Sequence, residues 1–282
     1  MKILLTNDDG IHAPGIAALH QAVADPEGRF GGPLGEVVFP IAPLTVQSAT
    51  SHGVTFHTPL MVSDEEVNEH MRGLAVDGRP ADCVKLAISQ LWPERHGAGS
   101  RPDLVISGIN AGANVGINVI YSGTVAAALE GAFLGIPSIA MSLHISKAGV
   151  HWLTAAAHAR RVLELLLAHE RETHPLLRPG NCLNVNIPLC EADPVSSPRT
   201  PEKPEIVVCP MNTHGLVDKY DRRESPGGQS YYWAAGDGFE FQHSDRGTDV
   251  HEIFERRITV TPLKYDLTRE DQLGAAREFF GG

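Results

Sequence analysis

The sequence lacks the segments that would carry a protein into or across a membrane. None of its apolar runs reaches the roughly 18 residues that a membrane-spanning helix needs. Met1 leads directly into a strand-like run, without the basic region and long apolar stretch of a signal peptide. We therefore expect a soluble, cytoplasmic protein that does not associate with membranes.

Cysteine and positive charge are also scarce. The four cysteines are widely separated and include no CxxC pair, so neither a disulfide framework nor a cysteine zinc site is expected. The net charge of −11 argues against a nucleic-acid polymer as partner, because phosphate backbones are bound by surfaces rich in Lys and Arg. A small phosphorylated substrate that is bound through a metal ion remains compatible with this charge.

Strand-like and helix-like patterns alternate along the first two thirds of the chain. The predicted strands are 2–6, 36–41, 103–107, 136–142 and 182–187, and the predicted helices are 16–24, 80–91, 124–134 and 152–169. This alternation predicts an α/β fold with a mostly parallel sheet and helices on both faces.

The composition changes after Pro188, where Pro, Ser and charged residues become frequent and short strand-like pieces follow. We therefore predict a core at 1–190 and a β-rich extension at 191–265, which acts as an arm that packs on a partner subunit. A helical tail is predicted at 266–282.

Two adjacent aspartates, Asp8 and Asp9, follow the first predicted strand in the segment TNDDG. Neighbouring carboxylates repel each other unless a cation or several hydrogen bonds compensate. In an open α/β sheet ligands bind at the carboxyl ends of the strands, where the segment 107–110 also lies. Gly10 allows the chain to leave the strand so that both carboxylates reach one ion. Hard oxygen ligands of this kind select Mg²⁺, Mn²⁺ or Ca²⁺ over zinc, and the alternative is a turn exposed to water.

A glycine-rich loop, SGINAGANVGINVIYSGT, precedes the helical pattern at 124–134. It lacks the dinucleotide-binding fingerprint and the lysine of a P-loop. Ser122, Gly123 and Thr124 stand where a helix would begin, and the free N–H groups of a helix start suit a phosphate. Capping of the helix by Ser122 or Thr124 would use the same groups, and both interpretations stay open.

The motifs TNDDGIHAPGI, QSATSHGVTFHTPL, RPADCVKLA, DLVISGINAGANVG and YSGTVAAALEGAFLGIPSIA occur in the order found in the SurE family. The chain resembles these stationary-phase survival proteins, which are metal-dependent 5′-nucleotidases, over nearly its whole length. The resemblance implies a Rossmann-like fold whose C-terminal β extension is exchanged between the subunits of a homodimer. Whether dimers pair into tetramers stays open.

The same resemblance implies that nucleoside 5′-monophosphates are hydrolysed to nucleoside and phosphate, and activity on short polyphosphate stays open. It implies one divalent cation per subunit, Mg²⁺ or Mn²⁺, held by Asp8, Asp9, Ser48 and Asn110. Phosphoryl transfer needs such neutralisation of the phosphoryl oxygens.

Further roles follow from the position of each residue in these motifs. Asn110 and the turn 122–124 would position the phosphate, and Asp8 or Asp9 would orient or deprotonate the attacking water. His52 is a candidate proton donor to the leaving oxygen or a phosphate contact, with a solvated histidine as the alternative.

The sequence departs from the family pattern at Arg79, where threonine is common, and before Ser48, where LTVQ replaces an Arg-containing stretch. Arg79 is a candidate for the missing positive charge. Two other functions are alternatives: a phosphatase of the haloacid dehalogenase type, which requires Asp-x-Asp rather than adjacent aspartates, and a nucleotide-binding module without catalysis.

Overall fold

A nine-stranded sheet organises the chain in this computed structural model, which describes residues 1–147, 149–169, 176–191, 203–235 and 239–281. In chain order the strands are β1 (Lys2–Thr6), β2 (Val37–Pro43), β3 (Val62–Asn68), β4 (Met71–Val76), β5 (Leu104–Ala111), β6 (Ser138–Leu143), β7 (Cys182–Ile187), β8 (Ile206–Val208), β9 (Lys219–Glu224), β10 (Ser230–Ala235) and β11 (Ile258–Leu263). The sheet order is β3-β4-β2-β1-β5-β6-β7-β11-β8, and β9 and β10 form a separate antiparallel hairpin.

Six neighbouring strands of this sheet, from β4 through β2, β1, β5 and β6 to β7, run parallel. The chain moves outward from β1 in one direction and then resumes at β5 in the other, which is the strand order of a dinucleotide-binding α/β fold. The predicted Rossmann-like fold class is confirmed.

Helices cover both faces of the sheet. The α-helices of the described residues are α1 (Pro14–Ala24), α2 (Pro80–Leu86), α3 (Trp92–His96), α4 (Gly123–Phe133), α5 (Trp152–His169), α6 (Asp249–Phe254) and α7 (Glu270–Phe280). Helix α1 packs beside α5, and α2 packs beside α4. Because side chains alternate along a strand, Ile3 and Leu5 of β1 belong to the core under α1 and α5, whereas Leu4 belongs to the core under α2 and α4.

Local sequence signals set the helix starts that matter for the site. Pro14 and Pro80 occupy the first positions of α1 and α2, where the missing N–H of proline costs no hydrogen bond. Ser122 caps α4, since its Oγ accepts a hydrogen bond of 3.1 Å from the backbone N–H of Val125.

The sheet is wider than the hydrophobic pattern predicts. Strand β3 (VSDEEVN) pairs antiparallel with β4 although it is rich in charged residues and largely exposed. Strands β8 and β11 come from the predicted extension, and β11 pairs antiparallel with β7, so part of the extension continues the core sheet.

The division at residue 190 and the exchange of the extension between subunits stay predictions. Of the predicted extension, residues 192–202 and 236–238 lie outside the described residues. In the predicted tail, α7 is exposed along its described length. No helix among the described residues is both long enough and apolar enough to span a bilayer.

Close packing of α1 on β5 makes Gly15 a test of the fold. A Cβ at Gly15 would overlap the carbonyl oxygen of Ile109, so we expect Gly15→Ala to lower the free energy of unfolding by about 1–3 kcal/mol. The matched control is Gly274→Ala in α7, where a Cβ meets nothing within 4 Å and where alanine is the better helix former. Urea unfolding measures both variants, and an equal loss of stability in the two would contradict the packing argument.

Candidate active site

The predicted site residues lie where the strand order reverses, at the carboxyl ends of β1 and β5. Asp8 and Asp9 follow β1, and Asn110 is the penultimate residue of the neighbouring β5. Open α/β sheets bind ligands at this point because the chains leave in opposite directions and open a crevice. A cavity of about 270 Å³ lies here, and Asp8, Asp9, Ser48, Asn110 and Ser122 all line it.

A tight turn brings the two adjacent aspartates to one cavity. The Asn7 side chain donates to the carbonyl of Gly10 at 2.8 Å and accepts from the N–H of Gly10 at 3.2 Å. Gly10 has φ +99°, a value that glycine adopts without strain. The turn breaks the alternation of the strand, so Asp8 and Asp9 both reach the cavity, as the sequence predicts.

Asp8 is almost fully buried against the start of α4. Its Oδ1 accepts a hydrogen bond from the Thr124 hydroxyl, and the backbone N–H of Thr124 also donates to it. A Cβ at Gly123 would lie 2.9 Å from Asp8 Oδ2, so glycine permits this close approach. Burial raises the pKa of the Asp8 carboxyl to about 6 against these hydrogen bonds, and the nearby charge of Asp9 adds to the increase.

Asp9 is half-buried beside it. Its Oδ2 accepts a hydrogen bond of 2.9 Å from the backbone N–H of Ala111, in the last residue of β5. Burial raises the pKa of Asp9 as well, and the hydrogen bond from Ala111 opposes this shift only in part.

Two backbone connections hold the loop that carries Ser48. The N–H of Gln47 donates to the carbonyl of Asp8 at 2.8 Å, and the N–H of Ser51 donates to the carbonyl of Tyr121 at 3.1 Å. The loop is therefore attached on one side to the aspartate turn and on the other to the segment before α4. Ser48 lies between these two attachments along the chain and lines the cavity.

His52 faces away from the cavity and anchors the same loop to α4. Its Nε2 lies 2.9 Å from Glu130 Oε2, and its ring stacks on Phe133 with centroids 5.0 Å apart. Lys85 Nζ donates to the other oxygen of Glu130 at 2.9 Å. Burial would raise the pKa of Glu130, but the hydrogen bonds and charges of His52 and Lys85 outweigh this effect and hold the pKa below its ordinary value. His52 is not among the described residues that line the cavity, and its role as proton donor stays a prediction.

The predicted phosphate seat shares its donors with Asp8 and with the cap of the helix. The backbone and hydroxyl of Thr124 serve Asp8, and the N–H of Val125 serves Ser122. Ser122 and Asn110 line the cavity, whereas Gly123 and Thr124 pack behind it against Asp8. Asn110 is oriented by its Nδ2, which donates to the carbonyl of Gly112 at 2.7 Å. Phosphate binding by this group stays a prediction.

Three asparagines that the sequence reasoning did not single out shape the glycine-rich loop. Asn114 N–H donates to Asn186 Oδ1 at 2.7 Å, and Asn184 Nδ2 donates to the carbonyl of Asn114 at 2.7 Å. Asn114 Nδ2 donates to Ser142 Oγ at 2.8 Å. The segment CLNVNI contains a signal for this role. Its two asparagines are spaced two apart and therefore lie on one face of a buried strand, where they need polar partners.

Residues of the C-terminal extension also support the site. Asp249 at the start of α6 accepts hydrogen bonds of 2.8 Å from the N–H of Gly116 and from that of Asn212. Phe239 lines the cavity. Nothing in the sequence around Phe239 predicts this position.

Arg79, the candidate for the missing positive charge, packs on Gly53, where a Cβ would overlap the Arg79 guanidinium. Arg79 is not among the described residues that line the cavity.

The donor set fits a hard divalent cation. The two carboxylates, the carboxamide of Asn110 and the hydroxyl of Ser48 are among the groups that line the cavity, and none of its described lining residues is Lys, Arg or His. The carboxylate charges therefore have no cationic side chain beside them in the cavity, and oxygen ligands of these types suit Mg²⁺ and Mn²⁺.

The raised pKa of Asp8 predicts a pH-dependent loss of stability in the metal-free protein. A carboxyl whose pKa rises on folding binds its proton more tightly when folded, so stability falls as the pH rises from 3.8 to about 6. In EDTA at about pH 8 we expect Asp8→Asn to raise the free energy of unfolding by about 3 kcal/mol, with little change at about pH 4. Urea unfolding of both proteins measures the difference, in which the titrating groups that do not interact with Asp8 cancel. An equal gain at both pH values would contradict this origin.

The comparisons with known proteins agree with the motifs in the sequence. Residues 3–212 match the family model described as survival protein SurE. The 5′-nucleotidase SurE of Desulforudis audaxviator is 41% identical over 281 residues, which cover 99% of this chain and 97% of that relative. The 5′-nucleotidase SurE of Rhodopirellula baltica is 40% identical over 279 residues, covering 99% of this chain and 98% of the relative.

Similarity extends to a solved structure. The crystal structure of the SurE protein from Aquifex aeolicus superposes with a TM-score of 0.75 at 30% identity, covering 99% of this chain and all of that one. Sequence motifs, family model and fold agree, and the chain belongs to the SurE family of survival proteins.

Proposed function

We propose that this chain is a 5′-nucleotidase that hydrolyses nucleoside 5′-monophosphates to nucleoside and phosphate with one divalent cation per subunit. The observation that carries the proposal is the carboxylate pair of Asp8 and Asp9 in a cavity without a cationic side chain among its described lining residues. Near-full-length similarity to relatives named 5′-nucleotidase SurE supports the same activity.

In this proposal Asp8, Asp9, Ser48 and Asn110 hold the cation, Mg²⁺ or Mn²⁺. When bound, the ion supplies neutralisation of the phosphoryl oxygens and a Lewis acid for the attacking water. Each aspartate has one oxygen fixed by a neighbour, Asp8 by Thr124 and Asp9 by Ala111, which limits the rotation of both carboxylates. The carboxylate oxygens that remain are the groups that orient or deprotonate water.

The nucleoside is proposed to bind at the aromatic part of the cavity wall. Tyr121 and Phe239 line the cavity, and aromatic rings offer faces on which a base stacks. Ser122 and Asn110 also line the cavity and precede Gly123 and Ala111, which contact the two carboxylates, so they are the proposed contacts of the phosphate. A cavity of about 270 Å³ with polar and aromatic walls suits a nucleoside monophosphate.

The assembly is proposed to be a homodimer, with tetramer formation still open. The β9–β10 hairpin supports this, because Tyr231, Tyr232 and Trp233 on β10 are exposed in the single chain. Large aromatic side chains on a protruding hairpin are typical of surfaces that become buried in a partner. The cytoplasmic location and the activity on short polyphosphate stay predictions.

A phosphate-release screen over nucleoside monophosphates and several divalent cations tests the activity. We expect turnover with Mg²⁺ or Mn²⁺, its loss in EDTA, and its return on readdition of the ion. Asp9→Asn should lower kcat/KM by more than about a hundredfold. Loss of a residue that only orients a metal ligand costs about 10–100-fold, and loss of the ligand itself should cost more. Glu66→Gln, an exposed change on β3, is the control with unchanged activity. Nucleotide binding without turnover at saturating metal would favour a binding module instead.

A pair of substitutions at His52 separates the anchor from the proton donor. His52→Gln keeps a hydrogen-bond donor for Glu130 but cannot act as an acid at the leaving oxygen, whereas His52→Ala removes both functions. If His52 is only an anchor for the loop, His52→Gln should keep most activity, and His52→Ala should need about tenfold more metal for half-maximal rate. Steady-state kinetics against metal concentration give both values, and an equal fall in kcat at saturating metal would identify His52 as the proton donor.

A further inference from the structure

A cluster of aromatic rings lies against the wall of the candidate active site. The ring of His144 stacks on that of Phe239, with centroids 5.3 Å apart and planes at 12°, and it meets the Phe254 ring edge-on at 5.4 Å. Phe239 also meets Phe254 and Phe241 at near right angles, at 6.2 and 6.4 Å. Offset-stacked and edge-on contacts at such distances are the favourable arrangements of aromatic rings. Of these four rings only that of Phe239 lines the active-site cavity.

The sheet fixes the backbone of His144. This residue directly follows β6, and its N–H donates to the carbonyl of Ile187, the last residue of β7, at 2.9 Å. The bond continues the pairing of two buried, parallel strands. Phe239 belongs to the C-terminal extension instead, so the stacked pair connects the extension to the carboxyl end of the central sheet.

Phe239 has room to move away from the active-site cavity. It also lines a second cavity, of about 520 Å³, together with Val217, Phe241 and Phe254. A side chain in a close-packed core is held by neighbours on all sides, whereas a ring that borders two cavities depends on fewer contacts. The stacked imidazole is one of these contacts, and it stands on backbone that is itself fixed.

The imidazole of His144 acts in this cluster as an aromatic ring. Its Nδ1 is buried and has no hydrogen-bond partner among the described residues, so no bond at that nitrogen sets the orientation of the ring. Burial lowers the pKa of His144, the charge of Arg256 lowers it further, and the charge of Glu191 opposes both effects. The ring is therefore neutral at neutral pH, and its contact with Phe239 is one of stacking.

We propose that His144 is a positioning residue that sets the affinity of the site for the nucleobase, because its stacked ring holds Phe239 as the platform on which the base lies. The inference rests on the proposed nucleotidase function and names what selects the substrate. The carboxylate end of the cavity serves any phosphate monoester, and Phe239 favours nucleoside monophosphates over sugar phosphates that lack a base. His144 is not among the described residues that line the cavity and acts only through Phe239.

Steady-state kinetics with two substrates test the proposal on the full chain at saturating Mg²⁺ or Mn²⁺. Ribose 5-phosphate matches AMP except that a hydroxyl replaces the base. His144→Ala should raise KM for AMP about three- to tenfold at nearly unchanged kcat, because loss of a stacking contact weakens binding equally in the ground and transition states. The KM of ribose 5-phosphate, or its inhibition constant against AMP, should change less than about twofold.

Two further variants separate stacking from structural damage. His144→Phe keeps an aromatic ring on Phe239 and should bring KM for AMP to within about twofold of the parent value. His70→Ala removes an exposed histidine at the β3–β4 turn, which is not among the described cavity residues, and should leave both constants unchanged.

Three results would overturn the proposal: an unchanged KM for AMP in His144→Ala, an equal rise in that variant for ribose 5-phosphate, or no recovery in His144→Phe. Absence of phosphate release by the parent protein would contradict the nucleotidase function instead. Calorimetric titration with AMP then measures the effect of His144→Ala on nucleotide binding directly, so the two failures are distinguishable.

Discussion

Burial of the Asp8 carboxylate against the first turn of α4 is the interaction on which the candidate site depends. The hydroxyl and N–H of Thr124 bind it, and the missing Cβ of Gly123 lets the helix approach. This contact fixes β1 relative to α4 and fixes the backbone to which the Ser48 loop is attached. It also holds a poorly compensated charge beside Asp9, so the geometry that favours cation binding lowers the stability of the metal-free fold.

The cavity is maintained by side chains that bind backbone rather than ligand. The loop after β5 has many glycines and no regular partner strand, and its backbone polar groups are satisfied by Asn184, Asn186 and Asp249. Because Asp249 and Phe239 belong to the C-terminal extension, the extension contributes to the cavity walls and to the loop that forms them. Changes there are expected to alter the shape of the cavity.

Local patterns in the sequence indicate the strands of the parallel core other than β4, the helix starts at Pro80 and near Ser122, and the placement of NDDG at a strand end. They do not contain pairings between distant segments. His52 reads as a solvated loop residue because its partner Glu130 lies 78 residues away, within an apolar helix where one glutamate was the only signal. Phe239 and Asn114 were missed for the same reason, since their roles depend on tertiary contacts.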